Sequence, residues 1–258
     1  MGNPSFITYF WSRIYLISFW ILALWSLQGI VYGQTSPKTV KGGGFGYFTI
    51  GGCGILNPQL EKFLQKPRLL TSNYTLSPNG IQAGGGGFGL LGRWMLGGYG
   101  LYSGFPEITK DSITSQVSLG SGMFTIGYLS KVKERMFLYP YLGVGGSGIT
   151  IKISNEAIQN TVEFDSRNPL KPQEKSDYSI GGIAFDLGGS LQYFLIPPSS
   201  EGGHGGMLLG LQAGCGGTFI SGTRWKDSQG RTVKGPEGIF HLSPYVRLTI
   251  GGGGFSWR

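Results

Sequence analysis

Two long stretches between Tyr178 and Phe219 alternate between bulky apolar residues and small or polar ones. In the first stretch, most odd positions from Ile183 to Leu195 carry isoleucine, phenylalanine, leucine or tyrosine, and the pattern returns from Met207 onwards. Successive side chains of a β-strand point to opposite faces, so each stretch predicts a strand of about 13 to 18 residues with one apolar face. Strands average about 5–6 residues in soluble proteins. Long two-faced strands are typical of a transmembrane β-barrel, in which the bulky face meets lipid and the lean face lines a narrow interior.

The composition excludes several other classes of protein. Glycine accounts for 48 of the 258 residues, whereas about 7% is usual. The aromatic content of 14% is too high for a disordered chain, and glycine does not recur at every third position, as collagen requires. The formal net charge is +8, but the basic residues are scattered and no nucleic-acid-binding motif accompanies them. We expect a basic surface beside anionic lipid head groups, with outer-membrane lipids and not nucleic acid as partners; the alternative is a generic solvated surface.

The first 33 residues differ from the rest of the chain. An apolar run of 14 residues, from Ile14 to Leu27, follows Arg13, and the sequence QGIVYG then ends at the small residue Gly33. This arrangement is typical of a secretory signal peptide, with cleavage predicted after Gly33. The alternative is a true membrane helix, since the apolar stretch from Phe6 to Leu27 is long enough to span a bilayer.

Eight strands are predicted after this segment, which is the smallest common number for a single-chain bacterial barrel. They are Gly42–Gly52, Gly80–Leu90, Arg93–Tyr102, Ser112–Tyr128, Met136–Ser154, Tyr178–Leu195, Met207–Phe219 and Ile239–Phe255. The predicted fold is all-β: an eight-stranded antiparallel up-and-down transmembrane β-barrel over 42–258, after a cleaved signal helix over 1–33 and a short segment over 34–41. A short helix is also predicted to start at Asn57, inside the first connection.

The connections between these strands alternate between long and short. Outer-membrane barrels have long loops outside the cell, short turns in the periplasm and both termini inward. The long connections Asn155–Asp177 and Ser221–Glu237 are therefore predicted to face outside, and the expected location is the bacterial outer membrane. These loops contain no binding motif that would identify a ligand.

The strand faces with small or polar residues contain the polar side chains that are expected inside the barrel. In the last strand the two faces carry Phe240, Leu242, Val246, Leu248 and Ile250 on one side, and His241, Ser243, Tyr245, Arg247 and Thr249 on the other. Asp186 and Arg247 lie at similar depths, and a buried charge needs a partner because breaking a buried pair costs about 3–5 kcal/mol. We predict an interior Asp186–Arg247 ion pair, supported by Gln192, Gln212 and Tyr245, that closes the lumen to solutes. The alternative is that each charge meets water separately.

Two segments carry a resemblance to a known family. The stretch YPYLGVGGSG at 139–148 and the final stretch SPYVRLTIGGGGFSW at 243–257 resemble strands of the small eight-stranded outer-membrane β-barrels of Gram-negative bacteria, of the OmpX and OmpW kind. The first is similar to the PYxGxGxG strand of that family, and the second to its C-terminal strand. The resemblance implies an outer-membrane barrel and, as a partner, the barrel-assembly machinery that reads the last strand. The family commonly ends on an aromatic residue, whereas this chain ends on Arg258.

Residues suited to catalysis or to cofactor binding are few. No nucleotide-binding or calcium-binding motif is present, so no cofactor is expected. Cys53 and Cys215 have no metal-type cluster around them and are predicted to stay unpaired, with Cys215 facing lipid. His241 and Ser243 share a strand face and resemble the pair of outer-membrane lipid A deacylases. They lack an acidic residue nearby to orient the histidine, and Pro244 follows where that family has asparagine.

The predicted width of the barrel limits its function. Eight strands enclose a space just large enough for their own side chains. The sequence therefore favours a structural or surface-interaction role carried by the extracellular loops, without catalysis. A narrow channel or carrier for small apolar molecules is one alternative, and a lipid-modifying outer-membrane hydrolase is another.

Overall fold

The computed structural model describes residues 40–56, 79–110, 113–133, 135–155, 162–165, 168–170, 175–195, 206–222, 224–227, 229–235 and 238–257. The predicted signal peptide and the helix predicted to start at Asn57 lie outside these ranges. The first strand begins at Val40, inside the segment that the sequence had set apart as 34–41. Within the described ranges no helix is long and apolar enough to cross a membrane.

Eight long strands form the main wall of the fold, as predicted. They are β1 (Val40–Gly54), β2 (Asn79–Leu91), β3 (Trp94–Gly104), β5 (Ile113–Tyr128), β7 (Met136–Asn155), β10 (Lys175–Phe194), β11 (Gly206–Ile220) and β14 (Ile239–Trp257). Six short strands lie in the connections, where the sequence analysis predicted none. They are β4 (Ile108–Lys110), β6 (Ser130–Lys133), β8 (Val162–Asp165), β9 (Asn168–Leu170), β12 (Arg224–Lys226) and β13 (Thr232–Lys234).

The eight long strands close into a barrel. Each is antiparallel to its neighbours, β1 pairs with β14, and β7 pairs with β10, so the sheet has no free edge within the barrel. The row of directly opposite residues that starts at Tyr139 of β7 passes through Ser190, Gln212, Arg247, Gly51, Gln82, Ser103 and Leu119 and returns to β7 at Ile149.

The return point of that row sets the dimensions of the barrel. The row leaves β7 at Tyr139 and meets β7 again at Ile149, ten residues further along the strand. With about 3.3 Å per residue and about 4.8 Å between strands, a stagger of ten over eight strands gives a tilt of about 41° and a backbone radius of about 8 Å. A lumen of that size accommodates side chains and little else.

The outer surface of the barrel carries a belt of exposed apolar side chains. On β14 the belt runs from Phe240 to Ile250, and on β10 the exposed residues include Ile183 and Leu187, so the predicted alternation is confirmed on both strands. The ten residue steps from Phe240 to Ile250, at a tilt of about 41°, cover about 25 Å along the barrel axis, which matches the apolar band of transmembrane barrels. Trp94 and Tyr128 pack edge to face at one border of the belt, with ring centroids 5.5 Å apart.

The two ends of the barrel differ. The connections after β1, β3, β7 and β11 all lie at one end, which we call the loop end. The connections after β2, β5 and β10 lie at the other end, the turn end, together with the start of β1 and the end of β14. At the loop end the wall rises beyond the belt, because β4 pairs with β5 and the β12–β13 hairpin continues the sheet from β10, where Lys226 lies opposite Ser179. The predicted alternation of long and short connections is therefore present for most of the chain, although the β3–β5 connection is shorter than the β10–β11 connection.

A charged turn closes the β12–β13 hairpin. The Asp227 carboxylate accepts hydrogen bonds from the backbone N–H groups of Gln229 and Arg231, at 3.0 and 2.8 Å, and from Nε of Arg231 at 2.7 Å. Gly230 occupies the left-handed region, with a φ of 77°, as the tight turn requires. Desolvation opposes ionisation of this carboxylate, but the hydrogen bonds outweigh it and lower the pKa of Asp227 below its ordinary value.

Candidate functional site: the barrel interior

The turn end of the interior is filled by a layer of aromatic side chains. The aromatic layer consists of Phe45, Tyr47, Phe88, Phe137, Tyr139, Phe194 and Phe255, all buried. Its rings pack edge to face and tilted, with centroids 5.0 Å apart for Phe137 and Phe255 and 5.4 Å apart for Phe88 and Tyr139. Offset and edge-to-face contacts of this kind add to the stabilisation from burial.

Glycine makes room for these rings. Gly253 lies directly opposite Phe45, and Gly86 lies directly opposite Tyr99. A Cβ atom on either glycine would overlap the aromatic residue across from it. On the glycine-rich strands, whose two faces the sequence left ambiguous, bulky aromatic residues therefore point inward and glycine provides the space beside them.

A polar layer lies next to the aromatic layer, and an ion pair is at its centre. Nη2 of Arg247 is 3.7 Å from Oδ2 of Asp186, and each side chain is about 2% exposed. The hydroxyl of Tyr245 donates to the Asp186 carboxylate at 3.0 Å, and the hydroxyl of Tyr99 donates to Oδ2 of the same carboxylate. Asp186 therefore receives hydrogen bonds from two tyrosines in addition to its ion pair with arginine.

Tyr245 links several members of this polar layer. Because its one hydroxyl proton is donated to Asp186, its oxygen accepts from the hydroxyl of Tyr141, with the two oxygens 2.5 Å apart. The guanidinium carbon of Arg247 lies 3.5 Å from the centroid of the Tyr245 ring. This stacked position lets the ring face stabilise the positive charge where water is excluded.

The five residues predicted to form the interior plug all lie inside the barrel, but they belong to two groups. Asp186, Arg247 and Tyr245 are in direct contact, as described above. Nε2 of Gln192 donates to Oγ of Ser190 at 2.8 Å and to Oγ1 of Thr249 at 2.9 Å, without a direct bond to the ion pair. Gln212 is buried directly opposite Arg247 on the neighbouring strand.

Two further members of the polar layer, Tyr99 and Tyr141, were missed by the sequence analysis. Tyr99 lies on β3, where glycine occupies so many positions that the two faces cannot be told apart. Tyr141 reads as one of the aromatic residues that barrels place at the membrane border. The sequence could have placed Tyr141 inside the barrel, because it lies an even number of residues from the polar Ser147 on the same strand. Residues at even separations share a strand face, and both side chains are buried.

A small cavity lies beside the polar layer. It has a volume of about 40 Å³, and its polar lining includes Gln82, Ser103, Ser147, Asp186, Thr218, His241, Ser243 and Arg247. Towards the loop end the interior is closed by a second apolar cluster, which includes Phe105, Val117, Ile149, Ile151, Tyr178, Ile220, Trp225 and Ile239. The cavity thus borders both apolar clusters.

The His241–Ser243 pair lies at this cavity. Oγ of Ser243 donates to the backbone carbonyl of Gly54 at 2.7 Å, while Nδ1 of His241 has no hydrogen-bond partner. The carboxylate of Asp186 also lines the cavity, but it is bonded to tyrosines and arginine. Both members of the pair are buried and face the lumen and not the lipid.

The two cysteines face opposite sides of the wall. Cys53 is buried inside the barrel, and Cys215 is opposite Pro244 on the outer face. Both are free thiols, so the prediction that they are not paired is confirmed. Among the described residues, no three histidine, cysteine, aspartate or glutamate side chains are grouped so as to hold a metal ion.

A closed eight-stranded sheet with an apolar belt outside and a packed interior defines a small transmembrane β-barrel of the outer-membrane type. Its fold is that of the bacterial outer-membrane β-barrels. The resemblance to the barrels of the OmpX and OmpW kind is confirmed at the level of the fold.

Comparisons with known proteins agree with this description of the fold. No family model and no curated protein matches the chain. Among solved structures, the attachment invasion locus protein Ail of Yersinia pestis is 11% identical with a TM-score of 0.43, over 83% of this chain and 98% of that one. Neisserial surface protein A is 8% identical with a TM-score of 0.42, over 80% and 96%. OprG from Pseudomonas aeruginosa is 11% identical with a TM-score of 0.34, over 85% and 97%. These likenesses concern the fold alone.

Proposed function

We propose that this protein is a non-catalytic outer-membrane barrel with a structural or surface-interaction role, and that its extracellular loops make its contacts. The observation that supports the proposal is the filled interior. Three successive obstacles occupy the lumen: the aromatic layer, the ion pair with its tyrosines, and the apolar cluster at the loop end. A barrel of this kind offers a rigid support and leaves recognition to the segments that emerge from it.

The filled interior argues against a diffusion channel. A solute entering from the turn end would have to displace packed rings such as Phe137 and Phe255, whose centroids are 5.0 Å apart. Further along it would meet Asp186 and Arg247, and separating a buried pair costs about 3–5 kcal/mol. The cavity of about 40 Å³ beside the pair has space for only a few water molecules.

Two further elements belong to the proposal. Outer-membrane lipids contact the apolar belt, and the barrel-assembly machinery engages the C-terminal strand β14. Phe255 of this strand points into the aromatic layer, so it stabilises the finished barrel as well as contributing an aromatic residue near the chain terminus.

Single-channel recording in planar bilayers tests the proposal. We expect no discrete conductance steps from protein whose folded state is verified by heat-modifiable migration on a detergent gel. As a control, Phe137→Ala combined with Phe255→Ala removes two rings of the aromatic layer and should raise the leak without abolishing membrane insertion. Regular conductance steps from the unmodified protein, blocked by a small apolar solute, would favour the carrier alternative instead. Loss of lipid A acyl chains that depends on His241 would favour the hydrolase.

A further inference from the structure

Three basic side chains lie on the outer surface of the barrel at the loop end, and we call them the basic surface. They are Lys152 on β7 and Arg224 and Lys226 on β12, and all three are exposed. Their chain neighbours Ile151 and Trp225 are buried, so the alternation of a strand directs the basic side chains outward. Within the described part of the chain, none of the three forms an ion pair. Their positive charges are therefore available to a partner outside the chain.

The register of the strands places the basic surface directly above the apolar belt. Lys226 lies opposite Ser179 of β10, and Ile183, an exposed residue of the belt, follows four residues later towards the turn end. At about 3.3 Å per residue and a tilt of about 41°, the backbone of Lys226 is about 10 Å above Ile183 and that of Arg224 about 5 Å above it. The head-group region of a bilayer extends about 5–8 Å beyond the hydrocarbon. Arg224 therefore lies within this region, and the long side chain of Lys226 can bend down into it.

The three cations are close enough together to share a ligand. Thr150 of β7, Ser179 of β10 and Lys226 of β12 lie in one row, and Lys152 is two residues beyond Thr150. With about 4.8 Å between strands and about 3.3 Å per residue, the Cα atom of Lys226 is about 12 Å from that of Lys152 and about 7 Å from that of Arg224. Long, flexible side chains converge across such distances. A group bound beside Lys226 can therefore contact two cations at once.

One carboxylate belongs to the same part of the wall. Asp177 of β10 lies directly opposite Lys152 and diagonal to Lys226. Arg231 adds no free charge, because its guanidinium is bound to Asp227. On the described outward face of β7, β10 and β12, three cations and one carboxylate thus leave a formal charge of +2. A phosphate monoester, with a charge of about −1.5 to −2 at pH 7, balances this excess.

We propose that the basic surface binds the phosphate groups of lipopolysaccharide, the phosphorylated glycolipid of the outer leaflet. In a lipid the phosphate lies directly above the acyl chains, just as these cations lie directly above the belt residues Ile183 and Phe219. Arg224 can donate paired hydrogen bonds to phosphate oxygens, and the two lysines act as point charges. The inference rests on the proposed function, in which the loop end faces outside the cell, and it assigns the lipid contacts of that proposal to particular residues.

Titration of the folded protein in non-ionic detergent micelles with diphosphorylated lipid A, followed by native mass spectrometry, tests the proposal. Lipid A from which both phosphates have been removed is the comparison, and two cations should make it bind about 25-fold more weakly, at about fivefold for each. Equal affinities for the two forms would overturn the proposal. Tighter binding of heparin than of lipid A would also overturn it, because the surface would then serve a soluble polyanion.

Matched variants separate the basic surface from a general attraction to positive charge. Arg224→Gln combined with Lys226→Gln should weaken the binding of diphosphorylated lipid A about 25-fold. Arg93→Gln combined with Arg135→Gln removes the same charge from exposed residues at the turn end and should leave the affinity unchanged. An equal loss in both double variants would refute the assignment. All four residues are exposed, so both double variants should fold, which heat-modifiable migration on a gel verifies.

The carboxylate of Asp177 provides a test with the opposite sign. Asp177→Asn removes the negative charge that competes with phosphate and should strengthen the binding of diphosphorylated lipid A about fivefold. Unchanged or weaker binding would contradict the charge balance on which the proposal depends. The proposed function is tested separately, by bilayer recordings and by labelling of the loops on intact cells. Silent recordings and labelled loops without phosphate-dependent binding would overturn this inference alone.

Discussion

Neutralising either member of the interior ion pair should strongly destabilise the barrel. At the observed 3.7 Å between Arg247 and Asp186, the attraction is about 4–5 kcal/mol for an effective dielectric constant of about 20. Asp186→Asn also weakens the hydrogen bonds from Tyr99 and Tyr245, each of which gains about 1.5–3 kcal/mol from a charged acceptor. We expect Asp186→Asn and Arg247→Gln each to lower the free energy of unfolding by about 3–5 kcal/mol.

The double variant isolates the interaction between the two side chains. Asp186→Asn with Arg247→Gln should lose about 2–4 kcal/mol less than the sum of the single losses, because the second change no longer leaves an unpaired charge. Urea unfolding in lipid vesicles, followed both by tryptophan fluorescence and by gel migration, measures these values and checks that one transition is observed.

The chain supplies a matched control for this experiment. Arg231 and Asp227 form a shorter ion pair, at 2.7 Å, but the arginine is 62% exposed. Solvent screens such a pair, so Asp227→Asn and Arg231→Gln should show no measurable coupling. Additive losses within about 0.5 kcal/mol at the interior pair would refute the reasoning. So would a coupling at the exposed pair as large as that at the buried one.

Three further predictions follow from the topology and the loop chemistry. An epitope tag inserted after Asn168 should be labelled on intact cells, because this connection lies at the loop end; labelling only after lysis would reverse the proposed orientation. The intact mass of non-reduced protein should show two free thiols, and a lipid-soluble maleimide should modify Cys215 faster than Cys53, since only Cys215 lies on the outer face; equal rates would contradict this placement. The lowered pKa of Asp227 means that its carboxylate stabilises the β12–β13 hairpin above the unfolded value of about 3.9, and this contribution disappears as the pH falls through the folded value. Amide exchange at Gln229 and Arg231 should therefore accelerate, relative to intrinsic rates, as the pH falls through this lowered pKa, and unchanged protection in acid would contradict the prediction.

The sequence predicted the fold well where each strand has chemically distinct faces. On β14, polar residues such as Arg247 and Thr249 alternate with Leu248 and Ile250, and period-two alternation then specifies both the strand and its orientation. The same argument brought Asp186 and Arg247 to one depth, because both strands run in the same direction from the loop end.

The remaining features depend on information that residue type does not carry. On β2 and β3 glycine provides no contrast between the faces, so the inward position of Phe88 and Tyr99 follows from the register of neighbouring strands and not from local pattern. The β12–β13 hairpin is three residues per strand and mixes charged with apolar residues, which is too short for periodicity to be detected. The cavity is likewise invisible in the sequence, because Gln82 and His241 are 159 residues apart in the chain.

The pairing of β1 with β14 has a consequence for how the chain matures. Val40 and Trp257 lie opposite each other at the turn end, so the first and last strands form the final seam of the wall. Until β14 has been synthesised, one edge of β1 presents unpaired backbone N–H and C=O groups, which promote association with other chains. Pairing across such a long separation also makes spontaneous folding slow. A ribosome therefore cannot release this protein as a finished barrel, and the polypeptide has to be kept apart from its copies throughout its passage to the membrane.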